Sequence, residues 1–519
     1  MAGDSHTDPG ASYSSTVGFL FIFNLIVGTG ALTLPKAFSE AGYVLGTIVI
    51  TLIGFMSYVS ATFVLEAMSN ANAVLKVKKF DEEHEEEDDR IAGQRQEIVE
   101  HSPLINEREP IGETDSLFQI KRRIELGQMA GMFFTKVGAY LFYLAMVVYL
   151  YGDLSIYSTA VPKSLRDVAC TFVNESHPLN MTDKDPCWPS SPNLSRANAY
   201  RIFVVVFAFT LGPFTFFNVQ KTKYLQVVTS LTRWLAILMM IILAVIWIAQ
   251  GRNEGHPKVA QLNAFPNIFG TAVYAFMCHH SLPGVVTPIK RKNRIHGLVF
   301  GDFGSVLILY LVLALTGVFL FKEPKDLYTL NFFDISDPTQ VPPIFVRYFL
   351  ALFPVFTLSS TFPIVGITLR NNIRTLFEMI LHREMPWKVE KIVLPLITLL
   401  PPITIALLTD QVQFLVGVTG SYAGVAIMYI IPAMMVFCSR KHVAKVIPLA
   451  VTVRLPYRSP FHHVFWIYLT NIWAVAAVTI ITVNLGGEFR HLGSHRGTSH
   501  HRKAQKNHRK RVKLHFYCR

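Results

Sequence analysis

Asn24 to Phe38 reads N-L-I-V-G-T-G-A-L-T-L-P-K-A-F, an apolar run in which Gly28 and Gly30 flank Thr29 and Pro35 follows. The surrounding stretch, Val17 to Phe38, is long enough to be a transmembrane helix, which needs ~20 apolar residues to cross ~30 Å of hydrocarbon. Glycine weakens a helix, and proline deletes a backbone donor. Hydrocarbon offers no replacement partner, so a break there persists only where it is buried in protein or lines a wet cavity. If the helix unwinds, the half-helix from Ala31 points N–H groups and a positive dipole end into the bilayer centre, a carboxylate-binding device. The freed carbonyls of Leu25 to Gly28, with the Asn24 amide, suit a small cation. Close packing through small residues explains the glycines equally well, and this run alone leaves both readings open.

A second apolar run separates them. Phe269 to Pro288 reads F-G-T-A-V-Y-A-F-M-C-H-H-S-L-P-G-V-V-T-P and is interrupted by His279, His280, Pro283 and Gly284. It is the sixth apolar run, so one interrupted span opens each of two groups of five. That is the pattern of an inverted-repeat transporter with its site at the midplane. The candidate substrate residues are therefore Gly28, Thr29, Gly30, Tyr274, Cys278 and His279. Asn24, with the hydroxyls of Ser359 and Thr361, forms a candidate cation site, because oxygen ligands suit a hard cation; those hydroxyls also suit capping of the kinks at Pro354 and Pro363. Asp153, in Y-L-Y-G-D-L-S-I-Y, is costly to bury and is expected to face a cavity or a partner such as Arg233 or a histidine; it is a candidate proton acceptor, a place near the luminal interface being the alternative. Either histidine alone also reads as a satisfied structural residue.

Composition supports a bilayer as solvent: 51% of the 519 residues are hydrophobic and 16% are charged, too apolar for an ordinary soluble chain of this length. The expected fold is an all-α membrane protein of about eleven spans. They fall near Val17 to Phe38, Leu45 to Leu65, Phe133 to Val161, Ile202 to Phe217 and Leu225 to Ala249. Ile268 to Val286, Leu298 to Phe321, Ile344 to Leu369, Ile392 to Leu408, Phe414 to Phe437 and Val464 to Leu485 follow. The polar start lacks a basic region before its apolar stretch, so the first span is expected to be a signal anchor.

The formal charge of +13 arises mostly at one place. Arg490 to Arg519 hold ten Lys or Arg and no acid, leaving 13 − 10 = +3 elsewhere. Lys76, Lys78, Lys79, Lys121, Arg122, Arg123, Lys221, Lys223, Lys290, Arg291, Arg370, Arg374 and Arg440 fall in alternate connections, which puts those loops and the N-terminus in the cytosol. Residues 1–16 are then a cytosolic N-terminus, 17–69 carry the first two spans, and 129–161 the third. Residues 162–198 are expected to be a luminal loop, with sequons at Asn174, Asn180 and Asn193. Cys170 and Cys187 share that oxidising side and are expected to pair, two free thiols being the alternative. Cys278 and Cys438 read as buried packing residues.

Residues 70–128 form an acidic cytosolic insert expected to be largely disordered. Within it Glu100, Leu104 and Ile105 make an E-x-x-x-L-I pattern of the kind clathrin adaptors read as an endosomal or lysosomal address, a short pattern that chance also produces. Residues 199–485 hold spans four to eleven. The basic, His-rich tail 486–519 is expected on the luminal side, and its abrupt change of composition reads as an atypical terminal segment. No P-loop, H-E-x-x-H or nucleophile elbow is present, and the Cys and His spacings make no tetrahedral metal site. Neither catalysis nor nucleic-acid binding is therefore expected.

On these residues the chain resembles the amino acid/auxin permease branch of the amino acid, polyamine and organocation transporter superfamily. The matching stretches are Asn24 to Phe38, F-M-C-H-H from Phe276, T-F-P-I-V from Thr361 and V-G-V-T-G from Val416. Over its whole length, including G-P-F-T-F-F-N-V-Q-K-T-K-Y-L-Q from Gly212, it looks most like the transmembrane protein 104 family. The resemblance implies a LeuT-like five-plus-five inverted repeat plus one helix, with substrate between spans one and six. It also implies that Asn24 and Thr361 stand at Na⁺-linked positions. The functional expectation is a secondary transporter of amino acids coupled to Na⁺ or H⁺ and needing no cofactor. A membrane receptor that senses an amino acid through the cytosolic insert is the alternative.

Overall fold

The computed structural model describes residues 12–94, 117–172, 182–216, 223–333, 342–447 and 455–483, and the side chains of all of these except 81–94 and 223–227. The first apolar run is two helices, α1 (Ser15–Ile26) and α2 (Thr29–Ala41), meeting at 52°. Ser14 caps α1 by accepting from the Val17 N–H, a common way to satisfy a first-turn donor. Gly42 ends α2 with φ 90°, a left-handed conformation open to glycine at little cost, and the chain turns into α3 (Tyr43–Gln94). After α4 (Leu126–Phe133) come α5 (Lys136–Ala169), a hairpin of β1 (Pro186–Trp188) and β2 (Ser191–Ser195), α6 (Arg196–Leu211) and α7 (Lys223–Ala249).

The sixth run is also interrupted. Helix α8 (Phe265–Ala275) stops before Phe276, and α9 (Leu282–Val286) restarts on a proline in its first turn. Then follow α10 (Ile295–Leu320), α11 (Ile344–Leu381) and α12 (Leu394–Leu408). Helix α13 (Val412–Thr419) continues through two π turns into α14 (Ile431–Val446), and α15 (Val464–Val483) follows. Among the described residues nine helices are long and apolar enough to span a membrane, and the bent α1–α2 pair makes ten. The interrupted α8–α9 element lies sixth in chain order, after five of these ten and before the other five. The chain is a multi-pass all-α membrane protein.

Burial orders these helices. The span in α3 has 78% of its most apolar window buried, against 28% for α7 and for α15. The outer helices present Phe209, Leu231, Ile242 and Ile472 outward, as a lipid-facing surface requires.

Two expectations need correction. Residues 70–128 are not disordered at their ends: α3 stays helical to Gln94, and Ala71, Ala73 and Val74 are buried. The Asn72 carboxamide accepts from the N–H groups of Lys121 and Arg122 and donates to Arg122 O, while Ser69 Oγ donates to Phe118 O. Phe118, Ile120 and Ile124 are buried in turn. Polar composition there is spent on joining segments, so charge counting mistook it for solvated chain. Glu100, Leu104 and Ile105 lie outside the described residues, as does 486–519.

The second correction concerns the loop 162–198. Helix α5 runs past Val161 to Ala169, because its last turns enter an ionic cluster. Lys163 pairs with Asp326 at 2.8 Å, Arg166 with Asp167 at 2.8 Å and Asp410 at 3.1 Å, and Arg196 with Asp167 at 2.7 Å. Cys170 and Cys187 are joined by a disulfide, and Trp188 Nε1 donates to Ala169 O. Asn193 is exposed on β2; Asn174 and Asn180 lie outside the described residues. Cys278 is buried and Cys438 only half-buried.

Candidate substrate site at two broken helices

Val27 and Gly28, the residues between α1 and α2, are both extended. The last carbonyls of α1 and the first N–H groups of α2 therefore lack intrahelical partners. No side chain caps α2. Among the described residues the N–H groups of Thr29 and Gly30 have no acceptor. Thr29 Oγ1 and Asn24 Oδ1 are buried without a partner.

Gly28 and Gly30 do different things. A Cβ on Gly28 would meet nothing closer than Ile26 O at 4.0 Å, whereas a Cβ on Gly30 would lie 2.6 Å from Ala275 Cα and 2.9 Å from Ala275 N. Gly30 thus lets the second broken helix touch the first, and only its N–H is left as a candidate substrate contact. Gly28 keeps open space beside the unpaired N–H groups. The packing explanation holds at Gly30, and no close approach calls for it at Gly28.

The two breaks share a partner. Tyr310 of α10 directs its hydroxyl at Ala275 O, 2.9 Å away, and at Ile26 O, 3.2 Å away. These are the last residues of α8 and α1.

Asp153 of α5 is buried and accepts from the Tyr274 hydroxyl at 2.6 Å. Its partner is therefore Tyr274, not Arg233 or a histidine. The Tyr149 ring lies 6.3 Å from that of Tyr274 and 5.4 Å from that of His280. His279 is turned the other way, its Nε2 at 2.8 Å from Ser60 Oγ and 3.1 Å from Ser57 O of α3. His279 thus ties the break to α3, which corrects its placement among substrate contacts, and Cys278 is fully buried.

Arg233 of α7 sits at the first break. Its Nη1 donates to Asn24 O and to Val27 O, each at 2.6 Å. The Thr361 hydroxyl donates to Thr357 O of its own helix at 2.8 Å, and Ser359, two residues before it, is half-buried. Of the candidate cation ligands, Thr361 spends its proton within its own helix, while Asn24 Oδ1 stays without a partner.

Beyond one end of the site, Tyr13 ties the segment before α1 to the segment after α9. Its N–H donates to Pro288 O, its carbonyl accepts from Lys290 N–H, and its hydroxyl donates to Val285 O. Burial pushes that hydroxyl's pKa up to about 12, with Arg123 opposing. A crevice of about 370 Å³ opens near the ends of α2 and α8, lined by Glu40, Asn267 and Tyr422 among others. None of the sequence-predicted site residues lines it.

A family model described as "Transmembrane amino acid transporter protein" matches residues 12–82 and 114–481. The chain belongs to that family. It is also similar to Transmembrane protein 104 of Homo sapiens, at 45% identity over 93% of this chain and 99% of that one. Transmembrane protein 104 of Gallus gallus is 44% identical with the same coverage. The homolog from Dictyostelium discoideum is 36% identical over 91% of this chain and 97% of its own. Among solved structures, a manganese transporter from Eremococcus coleocola superposes with a TM-score of 0.43 at 10% identity, covering 91% of this chain and 92% of that one.

The family places the chain among membrane transporters. Three residues that matter at its breaks escaped the sequence reading: Tyr310, Tyr149 and the actual role of Arg233. Arg233 carried a signal, a charge inside an apolar run. Tyr310 carried none, since L-I-L-Y-L in the seventh span reads as ordinary packing.

Proposed function

We propose that the protein carries amino acids or similar small zwitterions across the membrane by secondary active transport, the site lying between the two broken helices. The observation that carries this reading is the unpaired N-terminus of α2 beside open space at Gly28, one residue from the contact of Gly30 with Ala275. A substrate carboxylate is held by the Thr29 and Gly30 N–H groups and the helix dipole. The ammonium faces the Asp153–Tyr274 pair across the same contact. Asp153 is the proton-coupling group in this reading. Uptake of a panel of labelled amino acids into liposomes holding the purified protein, with and without an imposed pH gradient, tests it. Accumulation of one class of substrate supports the proposal; a flat response across the panel refutes it.

The continuation of α3 to Gln94 favours a second reading, in which the protein senses an amino acid and signals through the segment beyond. Deleting residues 95–114 spares buried Phe118. A transporter keeps its uptake after this deletion, whereas a sensor loses its cytosolic partner. We also propose an endosomal or lysosomal location, directed by Glu100, Leu104 and Ile105 through a clathrin adaptor, with glycans at Asn174, Asn180 and Asn193 on the luminal side. Substituting Leu104 and Ile105 by alanine should move the protein to the cell surface.

A further inference from the structure

The first span stops at Ile26, and its terminal carbonyls need positive partners. In a transporter coupled to Na⁺ such carbonyls are natural ligands for the ion. Here the Asn24 and Val27 carbonyls both accept from a single nitrogen of Arg233 at 2.6 Å, and Ile26 O faces the Tyr310 hydroxyl. The backbone carbonyls of the break are therefore not open to a Na⁺ ion: they are held by a cation that belongs to the chain. The hold is not incidental. Trp234, the next residue of α7, stacks on Phe23 of α1 with ring centroids 3.9 Å apart and planes at 15°, so the two helices are docked on both sides of the contact. Among the described residues Arg233 makes no ion pair, and its hydrogen bonds are those two. An arginine within a span persists where its charge is used, and arginine stays protonated at any physiological pH.

We propose that Arg233 is a tethered substitute for a coupling cation, supplying the charge that completes the broken first span, so that the protein needs no Na⁺. This rests on the transporter reading for its functional half, but its structural half stands alone. The closing experiment uses both. Purified full-length protein is heated in NaCl and in choline chloride at equal ionic strength, and uptake into liposomes is compared in the same salts at fixed pH gradient.

Wild-type protein should melt at the same temperature in both salts, and any uptake should differ by less than twofold. Arg233→Lys should retain this behaviour. Arg233→Gln, which leaves the carbonyls without a charge, should lose uptake in choline by tenfold or more and should gain a saturable, Na⁺-specific rise in melting temperature. A saturable Na⁺-specific rise in the wild type, or a tenfold loss of its uptake when choline replaces Na⁺, overturns the proposal. Salt-indifferent melting of the wild type with no uptake of any substrate supports the tethered cation and counts against the transporter reading. If Arg233→Gln does not fold, the wild type and Arg233→Lys still decide the question.

Discussion

Adding one methyl group at each glycine of the first break separates the packing role from the binding role. At Gly30 the new Cβ would stand 2.6 Å from Ala275 Cα and 2.9 Å from its N and Cβ. Two of those three atoms are backbone, so relief requires moving α2 away from α8. Overpacking of this kind costs about 1–3 kcal/mol. At Gly28 the nearest atom is 4.0 Å away, and φ is −127°, an ordinary extended value. Gly28→Ala should therefore fold normally, at a cost of a few tenths of a kcal/mol for the changed cap. It should nonetheless place a methyl where a carboxylate approaches the Thr29 N–H. Losing one hydrogen bond to a charged group is worth about 1.5–3 kcal/mol, or roughly ten- to a hundredfold in affinity. Thermal melting of the purified variants, with isothermal titration or uptake to give affinity, measures both effects. The expected pattern is a lowered melting temperature for Gly30→Ala alone and weakened substrate affinity at unchanged stability for Gly28→Ala. Equal destabilisation by the two, or full substrate affinity in Gly28→Ala, would refute the division of roles.

Three further substitutions test the surroundings. Tyr310→Phe removes the hydroxyl shared by Ile26 O and Ala275 O and should cost about 1–3 kcal/mol for the acceptor left without a donor, seen as earlier melting; unchanged melting would show that the bridge is not needed. Asp153→Asn keeps an oxygen to accept from Tyr274, so stability should hold, while stimulation of uptake by a pH gradient should vanish and substrate exchange should persist. Glu66, 1% exposed, holds Arg440 through two bonds of 2.6 and 2.8 Å and accepts from Ser459 N–H. Glu66→Ala takes two bonds from that guanidinium, which keeps only His462 O, and a loss of about 1.5–3 kcal/mol is expected, read as poor yield or early denaturation in detergent.

The fold was legible because the bilayer demands length and apolarity from each span, and both are visible along a single chain. The breaks were legible for a related reason: glycine, proline and histidine in mid-run conflict with a continuous helix, and α1–α2 and α8–α9 part where those residues fall. Partners across the bundle were not legible. Asp153 could be seen to need one, but Arg233 and the histidines stood as its candidates, and Tyr274 emerged only once the helices had positions. Gly28 and Gly30 look alike in sequence, and only the approach of Ala275 tells them apart. The insert at 70–128 misled at its ends because Asn72, like Ser69 just before the insert, is polar for the sake of the backbone groups of Phe118, Lys121 and Arg122, whereas composition counts it as water-seeking.

Arg233 also bears on which ion fits this site. A Na⁺ bound to the Asn24 and Val27 carbonyls would lie about 4 Å from a guanidinium that uses the same oxygens. At an effective dielectric constant of about 20 two unit charges at that distance repel by about 4 kcal/mol, which weakens binding roughly a thousandfold. Expelling Arg233 instead would leave its charge among apolar residues of α7 with no carboxylate paired to it among the described residues, a cost at least as large. A proton faces neither obstacle. In the proposed cycle it needs no ligand shell and would add to Asp153 of α5, whose oxygen is held by Tyr274 of the second broken helix. Protonating Asp153 weakens that hold by removing the charge from the acceptor, since hydrogen bonds to ionised groups are roughly twice as strong as neutral ones. The proton would therefore act on the contact between α5 and α8, and through Ala275 and Gly30 on α2, whereas Arg233 keeps α1 in place throughout.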